Sequence, residues 1–410
     1  MRGAKGRPSE HAQPSEHTEP SEQTEPSQPG RVMFVQPVAE RGGSDQALLR
    51  MVRLLAAEGW QCHVVLPGRG PLDDAFRDAG ATLHVIAMRR ISTSNSITDW
   101  VRYAAAWPLS VTRLVTLGRR IDAQAVHSNS LHTWYGWAAA AVLRVPHVWH
   151  AREIVVQSGM ALRLEQFLAR HFADQVIAMS AAIAAQFDPR NVVVVRDEPD
   201  PEEFDPARAG RFRARADVPD DAVVVGAACR IDTWKGIDVL LDAVPQLRTL
   251  RPDAHIVVAG GPVKGKEEYW ERLAAQAAAL PDVHWMGAIT DMPDFMADVD
   301  VFVQASTAPE PFGLVLVEAL ASGAAVVATA AGGPLEILED AAPGTGRLVP
   351  MGDAGALADA VGELLPPTSS TSLRYGRPRL HTSPPAPWGT LFANLIAAGR
   401  GGGPAGHNPR

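Results

Sequence analysis

Short apolar runs alternate with amphipathic stretches from residue 31 to residue 365, and most runs end in a polar or glycine-bearing loop. RVMFVQP (31–37) leads through ERGGSDQ into the amphipathic ALLRMVRLLAAEG. QCHVVLPG, TLHVIAM, AQAVHSNS and HVWHAREI repeat the strand-then-polar-loop pattern, with LDDAFRDAG as a short helix between the first two. Parallel strands need a crossover between them, usually a helix, and that crossover is right-handed. The alternation therefore predicts an α/β unit with a mainly parallel sheet. The pattern breaks at DEPDPEEFDPARAGRFRARADVPDD, where proline and acidic residues mark a linker at 197–222. It resumes with strands AVVVGAAC, HIVVAGG, VHWMGA, VFVQAS and AAVVATAAG, and with helices GIDVLLDAVPQLRTL, EYWERLAAQAAAL, LVLVEALASG and GDAGALADAVGELL. Two doubly wound, Rossmann-like domains, 31–196 and 223–365, are expected to face each other across a cleft. Ligands in such sheets bind beyond the C-terminal ends of the strands.

The ends of the chain differ from this body. Residues 1–30 repeat Pro, Ser and Glu with Gln or His, and bury too little apolar surface to offset ordering, so a disordered extension is expected. Residues 366–410 form a tail fragmented by proline and glycine, with a short helix expected around TLFANLIAAG. With 410 residues, 46% of them apolar, the body can form two packed domains. A net charge of -8 argues against a nucleic-acid-binding surface. Cys62 and Cys229, the only cysteines, cannot form a disulfide scaffold or a zinc site alone. The start of the chain lacks the apolar stretch of a secretory signal, so a cytoplasmic protein is expected. The stretch DWVRYAAAWPLSVTRLVTLGRR mixes Trp100, Tyr103 and Trp107 with Arg102, Arg113, Arg119 and Arg120, which suits a peripheral membrane contact or packing beside an acceptor cleft. Pro108 is expected to interrupt it.

Chemistry concentrates in the second half. EPFGLVLVE places Glu310 at the end of a loop, Gly313 at a tight turn and Glu318 on the following helix. Upstream, CRIDTWKG puts Arg230 and Lys235 on a loop just after a strand. Arginine offers a planar fork of donors and lysine a mobile point charge, and both suit a diphosphate. A carboxylate accepts hydrogen bonds from two hydroxyls, as on a sugar. No G-x-G-x-x-G fingerprint and no G-x-x-x-x-G-K-[ST] phosphate loop is present, which weakens nicotinamide and nucleotide-triphosphate readings. Asp298 and Asp300 form D-V-D, but hard cations need a fuller oxygen shell, and no metal site is expected.

The order of GGS, HSNS, HAREI, CRIDTWKG, AGG, MGAI and EPFGLVLVE resembles the retaining glycosyltransferases of family 4, which have the GT-B fold. The resemblance spans about residues 31–365. It implies a nucleoside diphosphate sugar as donor and no further cofactor. Arg230 and Lys235 would neutralise the leaving diphosphate, Glu310 would hold the donor sugar, and Glu318 the ribose. Phe312, Gly313 and Leu314 would bring backbone amides to the ligand, Gly287 would meet the nucleobase, and Gly42 with Gly43 would form a loop beside the phosphates. His150 would face the reacting sugar as a catalytic group, with Arg152 shaping its loop, and Asn129 and Ser130 would bind acceptor or sugar hydroxyls. Each of these has a bland alternative: His150 as a bonded structural histidine, with His147 a weaker candidate, and Asn129 and Ser130 as loop-stabilising side chains. The acceptor implied is a hydroxyl-bearing saccharide, a lipid-linked molecule or a small molecule. Remaining alternatives are a related phosphorylase or synthase, a non-catalytic nucleotide-sugar-binding protein, and a vestigial envelope interaction module.

Overall fold

The computed structural model describes residues 29–89, 97–155, 159–216, 218–219, 222–365 and 388–401. The expected disordered extension lies outside the described residues except for its last two, as do 366–387 of the C-terminal tail.

The first sheet has seven strands: β1 (Arg31–Val35), β2 (Gln61–Leu66), β3 (Thr82–Val85), β4 (Ala125–Ser128), β5 (His147–Ala151), β6 (Gln175–Ala178) and β7 (Val192–Val194). The second has six: β8 (Val223–Ala228), β9 (Ala254–Ala259), β10 (Val283–Gly287), β11 (Val301–Gln304), β12 (Ala325–Thr329) and β13 (Gly346–Val349). All pairings are parallel. The spatial orders are β3-β2-β1-β4-β5-β6-β7 and β10-β9-β8-β11-β12-β13. Each order reverses beside its first strand, between β1 and β4 and between β8 and β11. Those are the switch points where loops diverge and open a crevice.

Burial explains why the strands read as near-continuous apolar runs. Val32 and Phe34 of β1 belong to one core cluster, while Met33 and Val35 belong to the cluster on the other face. In β8, Val223, Val225 and Ala227 face one cluster, and Val224 and Ala228 the other. A sheet covered by helices on both sides needs apolar residues at both phases of the strand period.

The linker is itself packed. Phe204 and Phe212 join a core cluster that also holds Phe187 of the first domain and Phe295, Phe312 and Leu316 of the second. Asp298 accepts backbone hydrogen bonds from Gly210, Phe212 and Arg213 at 2.5, 2.8 and 3.0 Å, and Asp300 accepts one from Val224 N at 2.8 Å. Arg213 pairs with both carboxylates. The D-V-D pair thus ties the linker to the second sheet.

Pro108 does not interrupt its helix, which runs from Ile97 to Arg120. A proline removes one N–H and crowds the preceding turn, a local cost that packing can offset. Here Ser110 Oγ donates to Ala87 O at 2.7 Å and lies 3.1 Å from Ala106 O, and the helix packs along Tyr135–Leu143. No described helix is long and apolar enough to cross a membrane.

The helix Trp388–Gly401 returns to the first domain. Trp388, Phe392, Ala393 and Ile396 enter the cluster built on Val32, Phe34, Leu48 and Trp60. Phe392 meets Phe34 edge-on, with ring centroids 5.9 Å apart.

Candidate active site

Arg230 and Lys235 follow β8, and Glu310 follows β11, so these residues flank the switch point of the second sheet. Two backbone contacts bring the loops together. Thr307 N donates to Trp234 O at 2.8 Å, and Gly236 packs so closely on Ala305 that a β-carbon there would lie 1.8 Å from its carbonyl oxygen. Lys235 Nζ donates to both oxygens of Glu310, at 3.0 and 2.8 Å, and Ser306 Oγ donates to Glu310 Oε2 at 2.9 Å. The lysine also lies 4.0 Å above the centre of the Trp234 ring. The two charged side chains are 15% and 10% exposed, so the pair is largely withdrawn from water yet still reachable. Arg230 is exposed and has no ion pair among the described residues. It is therefore the cation of this loop whose charge is not already countered. Desolvation pushes the neighbouring Cys229 thiol up to about 12, so it stays neutral at ordinary pH.

Glu310 is held from behind by the GGP turn. Glu310 N donates to Ala331 O at 3.2 Å and Gly333 N donates to Glu310 O at 2.9 Å. Gly332 has φ 77, and a β-carbon there would lie 2.1 Å from Glu310 O. Only glycine permits both that conformation and that approach. Gly313, with φ 103, opens the helix Leu314–Ala321. Phe312 is buried in the core, so its side chain presents no surface to a ligand. Gly287 ends β10 at the sheet edge with open space at its α-carbon, and its carbonyl accepts from Gly260 N at 2.7 Å.

Across the cleft, Gly42 caps the helix Gly43–Ala57. A methyl group on Gly43 would sit 3.9 Å from Leu314 Cδ2. The structure thus brings the glycine pair of the first domain beside the helix that carries Glu318. Glu318 is buried and accepts from Arg50 Nη2 at 2.6 Å. Burial raises its pKa, and Arg50 opposes that rise. Nothing in the sequence pattern singled out Arg50. It is one of two arginines on an amphipathic helix, and its partner lies 268 residues away.

The expected acceptor-side residues have protein partners. Asn129 Nδ2 donates to Gln36 Oε1 at 2.8 Å and to Ser44 O at 3.0 Å, while its Oδ1 accepts from Arg152 Nε at 2.9 Å. Arg152 also pairs with Asp197 at 2.6 Å, and Ser130 donates to Glu153. These bonds match the loop-stabilising alternative.

His150 requires a correction. It is 0% exposed and presents no surface to a ligand in this structure. Its Nδ1 lies 3.3 Å from His127 Nε2 and 3.4 Å from Arg152 Nη2, and its ring centre is 5.7 Å from that of Trp388. Nothing links it to Lys235 or Glu310 among the described residues. The physical reason is the returning helix, whose Trp388 covers this part of the sheet. Burial lowers the pKa of both His127 and His150 well below the ordinary histidine range, with Arg152 adding to it for each, His147 for His127 and His127 for His150. His147 is structural as well: its Nδ1–H donates to Phe172 O at 2.9 Å, its Nε2 accepts from Ser128 Oγ at 2.9 Å, and burial pushes its pKa down to about 4.

Residues 210–371 match the family model described as Glycosyl transferases group 1, and residues 42–196 match the Glycosyl transferase 4-like domain. A GDP-mannose-dependent alpha-(1-6)-phosphatidylinositol monomannoside mannosyltransferase of Mycolicibacterium smegmatis is 31% identical over 287 residues, 68% of this chain and 70% of that one. A D-inositol 3-phosphate glycosyltransferase of Stackebrandtia nassauensis is 32% identical over 238 residues. That match takes in 51% of this chain and 53% of the relative, so the chain spans about half the relative's length. Among solved structures, Anabaena Alr3699/HepE in complex with UDP and glucose has a TM-score of 0.69 at 24% identity, covering 90% of this chain and 94% of that one. Two parallel sheets with helices on both faces and motif loops at their switch points define the GT-B class of fold. The chain belongs to the family 4 glycosyltransferases of that class.

Proposed function

We propose that the chain transfers a hexosyl group from a nucleoside diphosphate sugar to a hydroxyl acceptor, with retention at the anomeric carbon. One observation carries this reading: Arg230, Lys235, Ser306 and Glu310 converge on the β8/β11 switch point, where a doubly wound sheet holds its ligand. The mannosyl and glycosyl transfer named for the relatives supports it.

Arg230 receives the diphosphate, and Lys235 turns its charge toward the same group as negative charge grows there. Free amides at the start of Leu314–Ala321 add hydrogen bonds. Glu310 accepts from donor-sugar hydroxyls, Glu318 accepts from the ribose, and backbone at Gly287 meets the base. The bond from the anomeric carbon to the phosphate oxygen breaks as the acceptor oxygen bonds to the same face. The departing phosphate oxygen takes the acceptor proton, so the products are the glycoside and the protonated nucleoside diphosphate. No further cofactor is used. His150, enclosed under Trp388, has no step in this scheme. The helix Ile97–Arg120 exposes Trp100, Val101 and Leu109 beside Arg102, Arg113, Arg119 and Arg120, which suits a lipid-linked acceptor reached from a cytoplasmic membrane face.

The test is transfer followed by mass spectrometry, with UDP-, GDP- and ADP-sugars and pooled lipid, saccharide and small-molecule acceptors. A hexose mass increase should appear with one donor class and fall about 10²–10³-fold in Arg230→Ala. Undiminished kcat/KM in that variant overturns the role of Arg230. Donor binding without transfer to any acceptor favours the non-catalytic reading.

A further inference from the structure

Arg50 lies on the first helix of the first domain and points to Glu318 of the second, 2.6 Å from Nη2 to Oε1. The two side chains are 13% and 8% exposed, so this is a mostly desolvated ion pair across the domain boundary. The guanidinium also lies 5.6 Å from the centre of the Phe204 ring, which comes from the linker. Its Nε and Nη1 are buried and have no hydrogen-bond partner among the described residues. Two orphaned donors on one buried guanidinium are costly unless a ligand oxygen satisfies them. Glu318 Oε2 makes no hydrogen bond among the described residues, so half of the carboxylate is left over. A carboxylate with one oxygen fixed and the other available, beside unspent guanidinium donors, suits vicinal hydroxyls, which both donate and accept.

We infer that Arg50 is a positioning residue for the nucleoside of the donor: it fixes Glu318 from across the domain boundary, so the ribose subsite is complete only when the two domains are together. The inference rests on the donor-site reading of Glu318 given above. It makes ribose recognition a property of both domains, although the family motif lies in one. The groups facing Glu318 are Arg50 from the first helix and Glu203 and Asp197 from the linker. Both acids disfavour its ionised form, and Asp197 is already engaged by Arg152. Arg50 is the cation that opposes them. The direction for a variant follows. Without Arg50 the Glu318 carboxyl titrates at higher pH, so ribose binding weakens as pH falls and returns as pH rises.

The experiment is calorimetric titration of the full chain with UDP, GDP and ADP and with their 2′-deoxy forms, between about pH 5.5 and pH 8. Wild type, Arg50→Met, Arg50→Lys and Glu318→Gln are compared. Wild type should prefer the ribonucleotide of its own base. Arg50→Met should lose that preference by about tenfold at the acid end, with the deficit shrinking toward the alkaline end, and Arg50→Lys should restore part of it. Glu318→Gln should lose the preference at every pH. Equal weakening of the ribo and deoxy forms by Arg50→Met at all pH values would mean a merely structural arginine and overturns the inference. So would an unchanged preference in Arg50→Met when Glu318→Gln abolishes it, which leaves the donor-site reading standing. If Glu318→Gln keeps full preference, or wild type binds none of the diphosphates, the donor-site reading itself fails and the role of Arg50 falls with it.

Discussion

Lys235 and Glu310 form a charged pair whose side chains keep 15% and 10% exposure, whereas His127 and His150 form an imidazole pair that is 0% exposed. Both sit in parallel α/β sheets, and both contain residue types used in catalysis. The difference is what lies over them. The second-domain loops after β8 and β11 meet at the switch point through Thr307 and Trp234 and leave Lys235 and Glu310 partly exposed. In the first domain, Trp388 of the returning helix lies against His150 with the rings tilted by 43°, and Phe392 lies 6.2 Å from the His127 ring centre. A titratable side chain beside a strand end is a candidate for chemistry only where no later element of the chain covers it. Burial then decides its charge: the enclosed imidazoles are kept neutral, because ionisation there would forfeit hydration without a paired anion.

The largest effect that would test this contrast is on stability. Trp388→Ala should destabilise the protein by about 3–5 kcal/mol, since it deletes a buried aromatic that seals the cluster. Chemical denaturation measures it, and a loss within experimental error would show that the helix is not a clasp. Next comes Glu310→Gln, which keeps the side-chain volume while removing the charge. Transfer should fall by roughly a hundredfold, about 2.7 kcal/mol in the transition state, with little change in the denaturation midpoint. His150→Phe should do the reverse, moving the midpoint while kcat stays near wild type; a large loss of kcat in a stably folded His150→Phe would break the contrast. The smallest effect is on pH dependence. The folded pKa values of His127 and His150 lie below the unfolded value, so the unfolded chain binds more protons. Their contribution is complete above the ordinary histidine value of about 6.5 and is lost as pH falls below it, with a slope of up to about 1.4 kcal/mol per pH unit for each proton. Replacing either histidine should flatten that slope in thermal melts.

Most of the fold was legible because parallel strands buried on both faces leave long apolar runs, as in Val32–Val35 and Val223–Ala228. Three strands were not read. Gln175–Ala178 is one, and Val192–Val194 and Gly346–Val349 are sheet-edge strands, partly exposed, that lack the run of buried residues marking the central strands. Pro108 misled for a different reason: the penalty of a proline is local, and a helix packed along its length absorbs it.

The same division runs through the site. Local spacing alone placed Arg230, Lys235, Glu310 and Gly313 on loops and a helix start, because strand, turn and cap are short-range features that the residue types dictate. Even the order of the motifs carried the family. What the sequence could not show was contact between distant segments: the Lys235–Glu310 pair, the GGP turn locked behind Glu310, the meeting of Arg50 with Glu318, and the covering of His150 by Trp388. Those depend on how two sheets and a returning helix pack. Packing is set by the summed burial of many side chains, so no local stretch of sequence records whether a given polar group ends in a crevice or under a tryptophan.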